Sequence, residues 1–120
     1  MTEAVGMSMK DMYNLNKAMG LALSSKEKHR HGAIIVKKSK VISYGINVRK
    51  NDPNICSFPL VESGIHAEVA AIKKANTCLE GATIYVARIN KSGQPLFSKP
   101  CERCQSAIEQ AGIKKVIYTE

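Results

Sequence analysis

The chain has 120 residues, of which 44% are hydrophobic and 23% charged, a length suited to one domain and a composition that argues against wholesale disorder. We predict a single domain over residues 1–120, with residues 1–7 as a loose tail. Basic residues number 18 against 10 acidic ones, a formal net charge of +8. Eight of the basic residues lie between Lys26 and Lys50. Such a field attracts phosphate on a nucleotide or a nucleic acid, and a solvated basic face is the alternative.

Membrane and secretory segments are not expected from the hydropathy of the chain. No apolar run approaches the roughly 18 residues that a membrane span needs, and residues 1–10 lack the apolar core of a secretory signal. We therefore expect a cytoplasmic protein with no membrane partner, whose cysteines are mostly reduced. The cysteines are then thiols or metal ligands; they are Cys56, Cys78, Cys101 and Cys104.

The order of the predicted elements indicates an α/β fold. They are a helix over residues 8–25, a basic connector over 26–31, a strand at 32–36, a turn at 37–40, a strand at 41–47, a long loop over 48–64, a helix that ends near residue 76, a strand at 82–89, a loop over 90–99, a helix over 100–111 and a strand at 113–118. Ser8 can cap the first helix, and Gly112 closes the last. The first two strands form a hairpin, and the final strand–helix–strand unit is expected to be parallel and right-handed.

Two short motifs carry the chemistry, and each falls where a helix is predicted to begin after a loop. They are His66-Ala-Glu68 and Pro100-Cys-Glu-Arg-Cys104. Cys101 and Cys104 are three residues apart and share a face of one helical turn, at a helix N-terminus that favours thiolates. His66 and Glu68 can converge only over the end of a helix, which predicts a site where two helix N-termini meet. Two sulfurs and one imidazole suit Zn²⁺ and leave a fourth position for water, with Glu68 as a carboxylate able to move protons.

Two other readings of these motifs remain open at this point. A closed site of four ligands would only stabilise the fold; Cys56 could supply the fourth ligand, whereas Cys78 lies too far along the chain from His66 to be a good candidate. Alternatively, the two cysteines of the second motif could form a redox dithiol. The paired histidine and glutamate upstream argue against the redox reading.

In this order and spacing, the two motifs resemble the H-x-E…P-C-x-x-C signature of the cytidine and deoxycytidylate deaminase superfamily. The segments 32–36, 44–47 and 111–118 also resemble that family, the last of them its deoxycytidylate branch, so that roughly residues 8–118 fit. The resemblance implies a three-layer α-β-α, cytidine-deaminase-like fold with a mixed sheet of about four strands. It also implies a zinc-dependent hydrolase that converts an amine-bearing ring to a keto product and ammonia.

The resemblance assigns roles to five residues. His66, Cys101 and Cys104 would hold Zn²⁺, and Glu68 would take a proton from water at the metal and pass it to the ring nitrogen and then to the leaving amine. Asn47 matches the hairpin asparagine that contacts the substrate in related enzymes, with a simple strand-end residue as the alternative.

The histidines before the first strand and the end of the chain leave two further questions. His29 and His31 either contact phosphate or lie in a solvated loop. Family members usually continue beyond the last strand, whereas this chain stops at Glu120. We therefore expect an uncovered sheet edge and a homo-oligomer.

Three functions are compatible with these observations. The first is deamination of a small cytosine compound, above all dCMP, because the basic charge suits a 5′-phosphate; nucleosides and the free bases cytosine, guanine and adenine remain alternatives. The second is deamination of single-stranded nucleic acid or tRNA, which the low aromatic content disfavours. The third is a non-catalytic zinc-stabilised binding module, which would have no need of Glu68.

Overall fold

Three helices and five strands form the part of the chain that the computed structural model describes, residues 8–25, 30–47 and 66–119. In chain order they are α1 (Met9–Ala22), β1 (Arg30–Lys37), β2 (Lys40–Ile46), α2 (Ala67–Lys74), β3 (Thr83–Ile89), β4 (Pro95–Leu96), α3 (Glu102–Gln110) and β5 (Lys115–Tyr118). The predicted order of helices and strands is confirmed. The structure adds one strand, β4, within the segment predicted as a loop over residues 90–99.

The strands form one mixed sheet in the order β2–β1–β3–β4, with β5 also paired to β3. β1 and β2 are antiparallel and joined by the tight turn at Lys38 and Ser39, both of which have positive φ. β3 and β5 pair in parallel, as predicted for the last strand–helix–strand unit. The expected sheet of about four strands is therefore a sheet of five, because two residues of β4 extend the pairing of β3 beyond the end of β5.

Side chains alternate between the two faces of the sheet and build two apolar clusters. On one face, Ile34 and Tyr85 pack with Leu15 and Ala18 of α1. On the other face, the cluster contains strand residues and residues from α2 and α3: Ala33, Ile35, Ala67, Ala71, Ile84, Val86 and Ile108. Residues two apart along a strand share a face, so the helices cover both sides. This confirms the predicted three-layer α-β-α architecture.

Helix α1 is fixed at its N-terminus by a capping box and a buried carboxylate. The Ser8 hydroxyl accepts the backbone N–H of Asp11, and the Asp11 side chain accepts the Ser8 N–H in return. Asp11 also accepts the Tyr85 hydroxyl at 2.6 Å and lies 3.5 Å from the Lys115 ammonium. Burial raises the pKa of Asp11, but the hydrogen bonds from Tyr85 and Ser8 outweigh it and leave the pKa below its usual value of 3.8. The carboxylate thus ties α1 to the central strand.

Several predicted boundaries differ from the observed ones. The prediction of a connector over residues 26–31 is wrong for Arg30 and His31, which lie in β1 because their backbones pair with the end of β3. α1 ends at Ala22, and α2 ends at Lys74, where the next residue is extended. The predictions for the tail over 1–7, for His29 and for the loop over 48–64, which contains Cys56, lie outside the described residues. None of the helices described is both long and apolar enough to pass through a bilayer.

Candidate metal centre

Helix α2 approaches the sheet closely because a glycine lies beneath it. A Cβ placed on Gly45 of β2 would lie 2.6 Å from both the carbonyl oxygen of Ala67 and the backbone nitrogen of Ala71. The neighbouring Ser43 hydroxyl donates to the Ala71 carbonyl at 2.5 Å. The glycine and this hydrogen bond set the first turn of α2 directly on β2 and aim its N-terminus toward the end of the strand at Asn47. His66 is the N-cap residue of that helix.

Helix α3 places the two cysteines of the second motif at its start. Cys101 is the N-cap residue, and its carbonyl oxygen accepts the N–H of Gln105 at 2.8 Å. The Gln105 side chain donates to the Pro100 carbonyl at 2.9 Å, which holds the entry of the chain into the helix. Cys101 is exposed, whereas Cys104, one turn later, is 1% exposed and packs against Val69 of α2. The start of α3 is therefore directed at the start of α2.

The three donor atoms of the predicted metal site lie together at this junction. His66, Cys101 and Cys104 each offer one ligand atom, and these atoms all lie within 4.8 Å of one another. The Nδ1 atom of His66 is 3.2 Å from the Cys104 sulfur and 3.7 Å from the Cys101 sulfur. A tetrahedral Zn²⁺ with ordinary bond lengths separates a nitrogen and a sulfur ligand by about 3.5 Å. The donor set and its spacing therefore fit zinc, and the predicted meeting of two helix N-termini is found.

Glu68 lies beside these donors in the first turn of α2 and is only 4% exposed. Burial raises the pKa of its carboxyl group, while its own backbone N–H, His66 and Cys104 act in the opposite direction. Burial likewise raises the pKa of the Cys104 thiol, and the nearby charges of Glu68 and Cys101 add to this effect. Because the thiolate is the form that binds a metal, a cysteine whose pKa is raised by burial releases its proton when the metal binds.

The sequence left open a fourth ligand from Cys56 or Cys78 and a redox role for the two cysteines of the second motif. Cys78 is exposed, and its backbone carbonyl accepts the Lys37 ammonium at 3.0 Å. Within residues 8–25, 30–47 and 66–119, the three-residue cluster does not include Cys78. Cys56 lies outside these ranges, so a fourth ligand from it stays an open prediction. The redox reading requires only the two cysteines, whereas the observed cluster also contains a histidine.

Asn47 directly follows β2, at the end of that strand toward which the N-terminus of α2 points. Its side-chain oxygen accepts the His31 backbone N–H at 2.9 Å, which fixes the orientation of the amide. His31 is directly opposite Arg88 in the pairing of β1 with β3. Ala33 and Val86, two residues further along each strand, belong to the cluster beneath α2 and α3. His31 and Arg88 therefore lie on that same face, at the start of β1 and near the end of β3.

Two residues near the site were not singled out from the sequence. Arg88 places a positive charge near the end of an otherwise hydrophobic strand, and that interruption is the signal that could have identified it. Gly45 lies inside a predicted strand, where a glycine often marks the close approach of another backbone. Both signals are visible in the sequence, but only the strand register shows which face each residue occupies.

Comparison with known proteins agrees with this geometry. Residues 8–120 match the family described as the cytidine and deoxycytidylate deaminase zinc-binding region. The deoxycytidylate deaminase of Enterobacteria phage T2 is 34% identical over 100 residues, which cover 78% of this chain and 48% of that protein. The chain thus spans about half the length of this curated relative. The match to a zinc-binding region, together with the donor cluster, confirms zinc as the predicted cofactor.

Solved structures show the same fold. The dCMP deaminase of cyanophage S-TIM5, in its apo form, superposes with a TM-score of 0.69 at 25% identity, covering 93% of this chain and 84% of that chain. The guanine deaminase of Bacillus subtilis superposes with a TM-score of 0.59 at 26% identity, covering 93% of this chain and 64% of that chain. These likenesses confirm the cytidine-deaminase-like fold that the sequence predicted.

Proposed function

Because the chain belongs to the cytidine and deoxycytidylate deaminase family, we propose that it is a zinc-dependent hydrolytic deaminase whose substrate is dCMP. The reaction consumes dCMP and water and yields dUMP and ammonia. The observation that carries the proposal is a buried carboxyl group, Glu68, beside a cluster of one imidazole and two thiols. A purely structural zinc site needs the cluster but not the carboxyl group.

We propose His66, Cys101 and Cys104 as the zinc ligands. Zinc, when bound, supplies a Lewis acid that lowers the pKa of water and makes it a nucleophile near neutral pH. The protein holds the ligands at two helix N-termini, and the Cys104 side chain is packed away from solvent. Both cysteines must remain reduced to act as ligands, and we therefore also propose the reducing cytoplasm as the location of the protein.

Glu68 is the group that we propose to move protons. It takes one proton from the attacking water and delivers it to the ring nitrogen of the base. It then takes the remaining proton from the hydroxyl group that the water has added to the ring and delivers it to the amino group, so that ammonia leaves as the carbon–nitrogen bond breaks and the carbonyl forms. Burial raises the pKa of the Glu68 carboxyl group, because it disfavours the charged form. The carboxyl group can therefore hold a proton more readily between these steps. No other acidic residue in residues 8–25, 30–47 and 66–119 is buried beside the cluster.

The proposed preference for a nucleotide rests on three polar residues, which are Asn47, His31 and Arg88. Asn47, in the position where the resemblance predicts a substrate contact, is held by His31. His31 and Arg88 lie side by side on adjacent strands of the same face. We propose that Asn47 contacts the sugar and that the guanidinium of Arg88 attracts the 5′-phosphate, because guanidinium groups pair well with phosphate oxygens.

The proposal is tested by measuring ammonia release from a panel of purified substrates: dCMP, deoxycytidine, cytosine, guanine, adenine and a cytosine-containing oligonucleotide. We expect dCMP to have the highest kcat/KM and its advantage over deoxycytidine to shrink as salt is added. Equal kcat/KM for dCMP and deoxycytidine would contradict the nucleotide preference. Turnover of guanine or of the oligonucleotide, without turnover of dCMP, would assign the protein to another substrate class within the family.

The role of Glu68 is tested by Glu68→Gln, which keeps the shape of the side chain and removes the acid. Turnover of dCMP should fall by about 10²–10⁴-fold, at the upper end because the group acts in several proton transfers. Zinc content should stay at the wild-type level, since Glu68 is not a proposed ligand. Undiminished turnover in this variant would exclude the mechanism, and a loss of zinc would show that the carboxylate belongs to the metal site.

We further propose that the protein is a homo-oligomer. Met9, Met12 and Tyr13 lie at helical spacing on the outer side of α1, where they are 87%, 53% and 60% exposed. A stripe of large apolar side chains is typical of a surface that another protein covers. Sedimentation velocity at micromolar concentration measures the mass directly. A single monomeric species would contradict this proposal and leave the deaminase proposal unaffected.

A further inference from the structure

The chain that leads into α3 is attached to the sheet by two buried hydroxyl groups. Ser98, three residues before Cys101, is 5% exposed, and Thr119, directly after β5, is 4% exposed. Their hydroxyl oxygens are 2.8 Å apart. The backbone N–H of Ser98 donates to the Thr119 carbonyl at 2.9 Å, and the backbone N–H of Thr119 lies 2.9 Å from the Ser98 hydroxyl oxygen. We call this pair the Ser98–Thr119 clamp.

The clamp also contacts the central strand of the sheet. The Ser98 hydroxyl lies 2.9 Å from the Val86 carbonyl, which also accepts the backbone N–H of Thr119 at 3.1 Å. The Thr119 hydroxyl oxygen accepts the backbone N–H of Arg88 at 3.1 Å and donates to the carbonyl of Leu96. Two hydroxyl groups therefore join the end of β3, the segment after β4 and the end of β5.

The two halves of the metal centre are held in place by different parts of the sheet. His66 caps the start of α2, which is set on β2 by Gly45 and by the Ser43 hydroxyl. Cys101 follows the segment that the clamp attaches to β3 and β5. Helix α3 itself packs against α2. The clamp thus attaches the cysteine side of the site to the sheet, with Ser98 three residues before Cys101.

We propose that Ser98 and Thr119 are positioning residues that set the cysteine ligands at their distance from His66. Neither hydroxyl belongs to the donor cluster, so both act through the backbone that leads to Cys101. The inference rests on the proposed zinc ligands. Groups that hydrogen-bond directly to metal ligands typically change metal affinity by about 10–100-fold when they are removed, and we expect the clamp to act within that range through the backbone.

The test compares zinc affinity across four variants, measured by competition with a chromophoric chelator. Thr119→Val keeps the branched shape and removes the hydroxyl, Ser98→Ala removes the other hydroxyl, and Thr119→Ser restores the hydroxyl of the first. The matched control is Tyr85→Phe, which removes a buried hydrogen bond to Asp11 on the opposite face of the sheet. Thermal unfolding of each metal-free variant gives the stability that each substitution removes.

We expect Thr119→Val and Ser98→Ala to weaken zinc binding by about 10–100-fold, and Thr119→Ser and Tyr85→Phe to stay within about threefold of the wild type. Cobalt substitution adds a spectroscopic signature, because the sulfur-to-cobalt and ligand-field bands should shift in the first two variants only. Wild-type affinity and spectrum in Thr119→Val would overturn the proposal, and Ser98→Ala decides the matter if Thr119→Val does not fold. Equal weakening in Tyr85→Phe would show general destabilisation instead. A wild-type protein that binds no zinc would refute the metal site itself.

Discussion

Gly45→Ala should displace the N-terminal end of α2, which carries Glu68. We expect it to reduce turnover far more than a substitution on the other face of the sheet that lowers the unfolding free energy by a similar amount. The added methyl carbon would lie 2.6 Å from two backbone atoms of α2 and 2.8 Å from the Ala70 side chain. Ordinary contacts begin near 3.4 Å, so α2 must retreat by about 0.8 Å, since backbone atoms cannot rotate out of the way. Overpacking of this kind costs about 1–3 kcal/mol of unfolding free energy. A displacement approaching 1 Å at a catalytic group can reduce turnover by about 10²-fold.

The matched control is Gly32→Ala on the opposite face of the sheet. Its methyl carbon would lie 2.4 Å from the Ala18 carbonyl and 2.7 Å from the Ala22 nitrogen, so it displaces α1 instead of α2. Chemical denaturation gives the stability of both variants, and ammonia release from dCMP gives their turnover. We expect similar losses of stability, with a loss of turnover of about 10–100-fold for Gly45→Ala and only a few-fold for Gly32→Ala. Equal turnover in the two variants would refute the idea that the contact of α2 with β2 positions Glu68.

Three further predictions concern the metal, acid stability and helix α1. Cys101→Ala should lose zinc measured by metal analysis, whereas Cys56→Ala should keep it; loss in both would indicate a closed four-ligand site. Asp11 has a lowered folded-state pKa, so its stabilisation is present above pH 3.8 and is lost as pH falls through the folded value. The difference in unfolding free energy between wild type and Asp11→Asn should therefore shrink below pH 3.8, and a constant difference would contradict this. Gly20 lies inside α1 with open space around it, so Gly20→Ala should raise the unfolding free energy by about 0.5–1 kcal/mol without changing turnover.

The parts of the fold that depend on local signals were predictable from the sequence. Ser8 marks the start of α1 because its hydroxyl and Asp11 complete a capping box within four residues. The two chemical motifs, which include His66 and Cys101, predict the metal centre because each occupies a helix N-terminus, where side chains two or three residues apart can converge. These features need no knowledge of which strand lies beside which.

The rest depends on pairing between distant segments. β4 is only two residues long, and it exists because Arg88 and Ile89 of β3 lie opposite it. The charges of Arg30 and His31 suggested a connector, but pairing with β3 draws both residues into β1. One-residue shifts in register move a side chain to the other face of a sheet, so the face on which Arg88 lies could not be read from its own segment.

The separation of the ligands along the chain gives the metal a second effect, on the stability of the fold. His66 and Cys101 are 35 residues apart, and the intervening segment contains α2, β3 and β4. Unfolding of this segment separates the two ligands, so a metal ion that binds the folded arrangement adds its binding free energy to the stability of the fold. Zinc-loaded and chelator-treated protein should therefore differ in melting temperature even when no substrate is present, and preparations that differ in metal content would be expected to differ in lifetime as well as in rate.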